Sequence, residues 1–302
     1  MEPNQTELWA GLSDIALVPG KFELGDGVSI CQTYAHLMSP FMMAFSPAPK
    51  GKHHPGPWKS VLGGFEMDVS AEIYLPMSVV VSGLDRLNTI WWIAALLRLR
   101  TTPEIYVPVI SSEKFSSIPA IQQEALLWPM EIFTRRFMPV KAPAQRVDVT
   151  ELEWLKANWR DAARLLSNED FTFALQALDQ SVYSPSPALA IVAVWGALER
   201  LFSSSNQELS FRVSANLAAF LEPPGRNRLK CFKQVRDLYN QRSRAAHGDD
   251  FKDAPPYVET YELGRRVLVK IIEARRVPGK EELEAWLFGD FGGKDVQNSA
   301  VQ

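Results

Sequence analysis

The 302-residue chain holds only two cysteines and four histidines. Cys31 and Cys231 stand 200 positions apart and outside any paired ligand or redox motif, which excludes a disulfide scaffold. Both thiols are expected to be small buried hydrophobes of a reducing compartment. No glycine-rich phosphate loop of the Walker or dinucleotide type, no zinc-protease histidine pair and no nucleophile elbow occurs, so the common enzyme signatures are absent. An excess of one charge sign is missing too: the formal net charge is −3, which argues against coating nucleic acid or membrane over the whole surface. Any polyanion site must be local. The most lipid-like stretch, Ile90–Leu97, ends at Arg98 and Arg100, short of the roughly 20 residues of a spanning helix. Residues Met1–Gly20 carry Glu2 and Glu7 early and lack the basic start and apolar block of a secretory signal. A cytoplasmic protein without a membrane partner is expected.

What is present is ordinary globular composition: 46% hydrophobic and 22% charged residues, with 21 Pro and 17 Gly. At this length the chain is expected to divide into two domains. The first 145 residues read as mixed α/β. Strand-like runs occur at Val28–Ile30, Phe65–Leu75 and Ile105–Ile110, and a buried helix is expected over Leu84–Leu99. Ser46–Gly64 is too rich in Pro and Gly for either regular element and reads as a loop. Residues 141–145 (KAPAQ) are the expected linker, and no repeat of solenoid period occurs.

From Thr150 the pattern is helical. Thr150 and Glu153 have capping-box spacing, and Leu152, Leu155, Trp159, Ala162, Leu165 and Leu166 follow helical periodicity. Further helices are predicted at Asp170–Val182, Ala188–Phe202, Glu208–Leu221, Arg226–His247, Pro256–Arg276 and Glu281–Phe288, separated by Pro, Gly and Ser breaks. The expected class is α+β: an N-terminal mixed α/β domain (1–145), an all-α bundle (150–288) and a frayed tail (289–302).

His53 and His54 are adjacent, with no Cys, Asp or Glu nearby at ligand spacing, and read as a solvated pair between loop lysines rather than a metal site. His36, alone among apolar residues, reads as a satisfied and partly buried histidine. Neither a metal nor a cofactor is expected. His247 differs because it closes a long basic helix. On that helix Leu229, Phe232, Val235, Leu238 and Tyr239 form the expected buried stripe, and Arg242 extends it inward. An inward arginine needs an anionic partner, a carboxylate or a phosphate. Arg226, Arg228, Lys230, Lys233, Arg236, Arg242 and Arg244 stand against one acid, Asp237, so this segment carries +6 and −3 less +6 leaves −9 for the rest. That is the footprint of a local polyanion site, although a solvated helix face paired with neighbouring acids would carry the same charge.

Histidine can take a proton from a ribose 2′-hydroxyl or give one to a leaving 5′-oxygen, and arginine can hold the phosphate with two hydrogen bonds. A helix C-terminus attracts positive charge, which suits a general acid there. Five residues turn a helix by about 140°, so Arg242 and His247 diverge on a regular helix, and two copies facing each other are expected if the site is catalytic.

The segment Arg242-Ser-Arg-Ala-Ala-His247 fits the Arg-x4–6-His motif of the HEPN (higher eukaryotes and prokaryotes nucleotide-binding) domains. With Trp195-Gly-Ala-Leu-Glu-Arg-Leu-Phe202, Phe211-Arg-Val-Ser-Ala-Asn-Leu-Ala218 and Leu238 to Gly248, the stretch from Thr150 to Arg276 resembles the Apea-like HEPN branch. The resemblance implies a helical domain that dimerises through the motif-bearing helices. In active members such a domain cleaves RNA without a metal, leaving 2′,3′-cyclic phosphate and 5′-hydroxyl ends, often as a toxin or antiviral effector. It makes Arg242 and His247 the catalytic pair, Ser243 an auxiliary polar group and Glu199 the candidate for orienting Arg242. Arg226, Arg228, Lys230, Lys233, Arg236 and Arg244 are then candidate RNA-binding residues. RNA, a second copy of the chain and a regulatory partner are the partners implied, and the N-terminal half is left a sensor or targeting role. Two other readings stay open. One is an RNA- or nucleotide-binding module without chemistry; the other is a scaffold in which Arg242 pairs with a buried carboxylate such as Glu199.

Overall fold

In a computed structural model, which describes residues 3–131, 145–203, 208–247 and 255–289, both helices and strands build the chain, in keeping with the α+β expectation. Two compact units emerge. Among the described residues the first holds 3–80, 84–131 and 145–156, and the second holds 81–83, 157–203, 208–247 and 255–289.

The first unit contains β1 (Leu8–Leu12), β2 (Ile15–Leu17), β3 (Lys21–Gly25), β4 (Val28–Ala44), β5 (Trp58–Leu75), α1 (Arg86–Arg100), β6 (Val109–Ser111), β7 (Leu127–Pro129) and β8 (Gln145–Val147). Six strands form an antiparallel sheet in the order β3-β4-β5-β1-β6-β7, and β2 pairs with β8 in parallel. Leu8, Ala10 and Leu12 of β1 and Val69, Ala71, Ile73 and Leu75 of β5 are buried, with Val69, Val109 and Phe115 forming one cluster. The register of β4 on β5 runs from Ser29 opposite Tyr74 to Ala44 opposite Trp58, with irregularities at Gln32/Ala35 and Pro40/Met42.

This hairpin corrects the sequence reading. The loop expected over 46–64 is confined to the residues between Ala44 and Trp58, and the strand expected over Val28–Ile30 continues to Ala44. The reason is physical: burial alternates along Cys31–Met38, but the exposed positions include Tyr34 and Met38, 71% and 68% exposed. Apolar residues on both faces erase the period-two signal. The strands β1, β2, β3, β7 and β8 were also unread, being only three to five residues long.

Helix α1 matches its expected span closely. Asp85 caps it by accepting the Asn88 N–H at 2.7 Å, and its residues from Thr89 to Leu99 are buried on nearly every face. Arg86 ties its first turn to the sheet, donating to the carbonyls of Thr6, Pro76 and Leu75 at 3.1, 3.1 and 2.9 Å. Farther along, Arg98, 2% exposed, meets Glu131 at 2.8 Å, whose other oxygen accepts the Val107 N–H.

Gln145, the last residue of the expected linker, begins β8, while 141–144 lie outside the described residues. The next helix, α2 (Val149–Asn158), starts one turn-position earlier than expected. Asp148 accepts the Thr150 N–H at 2.8 Å and Glu151 reaches back to the Asp148 N–H at 3.2 Å, so the cap is built on Asp148 and Glu151 rather than on Thr150 and Glu153. The division between units falls within α2, after Lys156. The helical spacing expected through Leu166 is interrupted: α2 ends at Asn158 and Asp161–Ser167 is a tighter 3-10 segment. There the Arg275 guanidinium occupies the Ala157 carbonyl at 2.5 Å and bonds the Asn158 side chain, replacing the next helical turn.

Among the described residues the remaining elements are α3 (Glu169–Ser181), α4 (Pro187–Phe202), α5 (Leu209–Leu221), α6 (Arg226–Ala246), α7 (Pro255–Ala274) and α8 (Lys280–Leu287). Each lies within two residues of its expected bounds. Asn168 and Ser186 cap α3 and α4, and Pro187 opens α4 where its missing N–H costs nothing. Gly225, at φ 138°, makes the turn into α6 that a side chain would oppose. Phe171, Leu178, Ile191, Val194, Trp195, Leu198, Val213, Leu217, Val235, Val267 and Ile271 supply the core. At Gly264 a Cβ would lie 3.0 Å from the Leu178 side chain and 3.3 Å from that of Val194, so α7 approaches α3 and α4 closely. Of the expected tail only Gly289 is among the described residues. No described helix is long and apolar enough to cross a membrane.

Candidate nucleic-acid interface

At 1.5 Å and 100° per residue, the 21 residues of α6 form a rod about 31 Å long whose sides can be assigned from the sequence. Arg226, Lys230, Lys233 and Arg244 fall within about 40° of one line, with His247 about 60° and Arg236 about 80° to one side. All six are exposed. Cys231, Val235, Leu238, Tyr239 and Ala245 are buried on the opposite side. The helix therefore carries a basic stripe on its outer face and an apolar stripe on its inner one. Leu229 corrects the expected buried stripe: it is 55% exposed, because its angular position falls with the basic edge. Phe232 is half-buried and meets Phe211 of α5 edge-on, ring centres 5.6 Å apart.

Arg228 does different work from its basic neighbours. Its Nε donates to the Glu222 carbonyl and its terminal nitrogen to the Trp286 carbonyl, each at 2.9 Å, which clamps the start of α6 to α8. Burial lowers its pKa from the ordinary arginine value.

Arg242 sits on the inner side, about 160° from the basic line. Its guanidinium lies 3.2 Å from a carboxylate oxygen of Glu199 on α4, and its carbon lies 5.6 Å from the centre of the Tyr239 ring. The same carboxylate accepts a hydrogen bond from the Tyr239 hydroxyl. Burial first, then that bond and the Glu199 charge, push the phenol up to about 12. Trp195, one turn before Glu199, packs edge-on against Tyr239 with ring centres 5.1 Å apart. Glu199 thus holds both a cation and a phenol, and an aromatic wall orients the phenol. The Arg242 side chain keeps a quarter of its surface exposed. Its Nε, Gln241 Oε1 and Trp195 Nε1 have no hydrogen-bond partner among the described residues. Buried polar atoms without partners mark a place where water or another molecule completes the bonding.

His247 ends the helix at φ −88° and ψ 4°, its N–H shared between the carbonyls of Ser243 and Arg244 at 3.1 Å each. Its side chain is exposed. Ser243 is half-buried beside Arg242. The structure brings Arg242 and Glu199 together, lines His247 up with the exposed basic residues, and leaves Arg242 and His247 on different sides of one helix. The polar role of Tyr239 was missed, and so was the packing of Trp195. The i,i+4 spacing of Trp195 with Glu199 and the i,i+3 spacing of Tyr239 with Arg242 were the available signals.

Elsewhere, His36 Nδ1 lies 2.8 Å from Asp68 on the hairpin, so the histidine is satisfied as expected but exposed rather than partly buried. Cys231 is buried and its thiol pKa is raised by burial, whereas Cys31 is only half-buried. Among the described residues no three His, Cys, Asp or Glu side chains gather as metal ligands do. A cavity of about 380 Å³ between α5, α7 and α8 is lined by Phe220, Glu222, Lys270, Arg276, Glu282 and Trp286, none of them an expected site residue. Its carboxylates are already paired, Glu222 with Arg266 at 2.9 Å and Glu282 with Arg276 at 2.5 Å. No protein-family model, curated protein or solved structure matches the chain.

Proposed function

We propose that the second unit is an HEPN-type helical bundle that binds RNA along the exposed face of α6 and, as a homodimer, cleaves it without a metal. The observation that carries this reading is the concentration of exposed cations on the helix that His247 ends, with Arg242 of the same helix held by Glu199 of α4. A line of lysines and arginines attracts successive phosphates by counterion release and needs no sequence readout. In the reaction the neutral His247 imidazole of one copy takes the proton of a ribose 2′-hydroxyl, whose oxygen attacks the adjacent phosphorus. The P–O5′ bond breaks, and the departing 5′-oxygen takes a proton from a His247 imidazolium. The products are a 2′,3′-cyclic phosphate and a 5′-hydroxyl, and charge on the phosphoryl oxygens is offset by Arg242. Because the two side chains diverge on one helix, a second copy is needed to bring an arginine and a histidine onto one phosphate. Action as a toxin or antiviral effector, restrained by a regulatory partner, follows from the resemblance to the HEPN family. A cytoplasmic location fits RNA as the substrate.

End-group analysis of RNA incubated with the protein in chelator tests the proposal. Cyclic phosphate ends that disappear in Arg242→Ala and His247→Ala proteins are expected. No cutting, or cutting equal to wild type in His247→Ala, defeats it.

A second reading, RNA binding without chemistry, is favoured by one observation: Arg242 already has a carboxylate partner at 3.2 Å. It predicts salt-sensitive RNA affinity with no product ends at any protein concentration.

A further inference from the structure

The outer end of the β4–β5 hairpin stands apart from the rest of the sheet. β3 pairs with β4 only over Val28–Cys31, and β1 pairs with β5 only over Ala71–Leu75. From Met38 to Ala44 and from Trp58 to Glu66 the two strands are therefore paired with each other, and among the described strands neither has a further neighbour. Along this arm Met38, Met42, Met43, Phe45 and Trp58 are 47 to 68% exposed. Met42 and Met43 are consecutive on one strand and so point to opposite faces. A surface that docks flat on a partner needs one apolar face, whereas this arm is apolar on two.

Charge adds a second, independent observation. From Gly27 to Phe65 the sequence contains no Asp or Glu, while Lys50, Lys52 and Lys59 surround the tip, all exposed, in a chain of net charge −3. The tip is also internally bonded. His54 Nδ1 lies 2.9 Å from the Ser46 carbonyl, and the Trp58 indole N–H donates to the carbonyls of His54 and Pro55 at 3.0 and 3.2 Å. The one polar atom of the exposed indole is thus satisfied within the loop, and its ring is left to meet an apolar medium.

We propose that this hairpin tip inserts shallowly into the headgroup region of an anionic lipid bilayer. Trp and Met enter the boundary with the acyl chains, while Lys50, Lys52 and Lys59 meet lipid phosphates. The open strand edges confine the insertion to the interface, where water and headgroups bond the backbone, because hydrocarbon would leave those groups unpaired. Two copies meeting tip to tip would oppose six lysines with no carboxylate. Three of the five exposed apolar residues, Met38, Met42 and Met43, offer no ring on which a nucleic-acid base can stack. The expectation of no membrane partner rested on whole-surface charge and on the lack of a spanning segment, and a hairpin tip depends on neither.

The test is co-sedimentation of the full chain with phosphatidylcholine vesicles, with and without phosphatidylglycerol. Binding to the anionic vesicles at least tenfold stronger than to the neutral ones, falling with added salt, is expected. Met42→Ser/Phe45→Ser protein loses that binding at least tenfold, and Lys50→Gln/Lys52→Gln/Lys59→Gln protein falls to the neutral-vesicle level. A blue shift of tryptophan emission on binding is expected for wild type and absent in Trp58→Phe protein. Lys230→Gln/Lys233→Gln protein, altered on α6, keeps its vesicle binding. Absence of binding to anionic vesicles, undiminished binding by the hairpin variants, or a loss of RNA rather than vesicle affinity in the lysine variant overturns the proposal.

Discussion

Each unit contains an ion pair of arginine with glutamate, and the two pairs are placed very differently. In the first unit Arg98 is 2% exposed and its partner Glu131 spends a second oxygen on the backbone of Val107. In the second unit Arg242 keeps a quarter of its side chain exposed, leans over Tyr239 and retains an Nε without a partner among the described residues. A charge sealed between elements holds them together, and its loss leaves the partner stranded. A charge at the edge of a bundle retains bonding capacity that another molecule can use. The difference between these pairs separates a structural pair from a candidate site.

Substitution of the two arginines breaks this comparison most severely. Arg98→Met should cost the first unit about 3–5 kcal/mol, the usual cost of orphaning a buried charge, and be seen as a lower unfolding midpoint. Arg242→Ala should cost only about 1 kcal/mol, because both partners are partly solvated. For RNA cleavage the order should reverse, with Arg242→Ala losing roughly 10²–10³-fold if it offsets transition-state charge. Equal unfolding penalties for the two substitutions would erase the distinction.

The basic stripe of α6 sharpens it at the level of binding. Neutralising Lys230, Lys233 and Arg236 together should lower RNA affinity and reduce the slope of log affinity against log salt by about one per charge removed. Arg228→Gln should instead lower stability with less change in that slope, since two of its donors hold carbonyls of Glu222 and Trp286. An unchanged slope in the triple variant would remove α6 as the interface.

The smallest effect concerns two tyrosines, one in each unit. Tyr74 donates to Glu7 at 2.8 Å and Tyr239 donates to Glu199, and burial reinforced by those carboxylates pushes both phenols up to about 12. A phenol whose folded pKa lies above its unfolded value near 10 contributes stability that is complete below pH 10 and lost as pH climbs towards 12. Denaturant midpoints should fall across that window, and Tyr239→Phe should flatten the fall. An equally steep fall in the variant would mean that Tyr239 is not one of the groups responsible.

How much was readable in advance follows from the range of the interactions. The spans of α3 to α8 were close because an amphipathic helix repeats every 3.6 residues and its ends carry local signals such as Ser186-Pro187 and Gly225. The inward direction of Arg242 was readable from its spacing of four residues after Leu238, and the stripe of Arg226, Lys230, Lys233 and Arg244 follows from the same arithmetic. The hairpin was not readable, because pairing Ser29 with Tyr74 is a non-local choice and exposed Tyr34, Met38, Met42 and Met43 hide the alternation. The early end of α2 was equally hidden, since it depends on Arg275, far along the chain.

By itself, then, the sequence determined the helical half, the gathering of +6 between Arg226 and His247, and the opposed directions of Arg242 and His247, all consequences of short-range periodicity. Only the tertiary structure decided that Glu199 meets both Arg242 and Tyr239, that Arg228 is committed to a clamp, and that β4 and β5 extend as an arm beyond their sheet. These depend on which distant elements come into contact, and contact between distant elements is set by the packing of the whole core rather than by any local pattern.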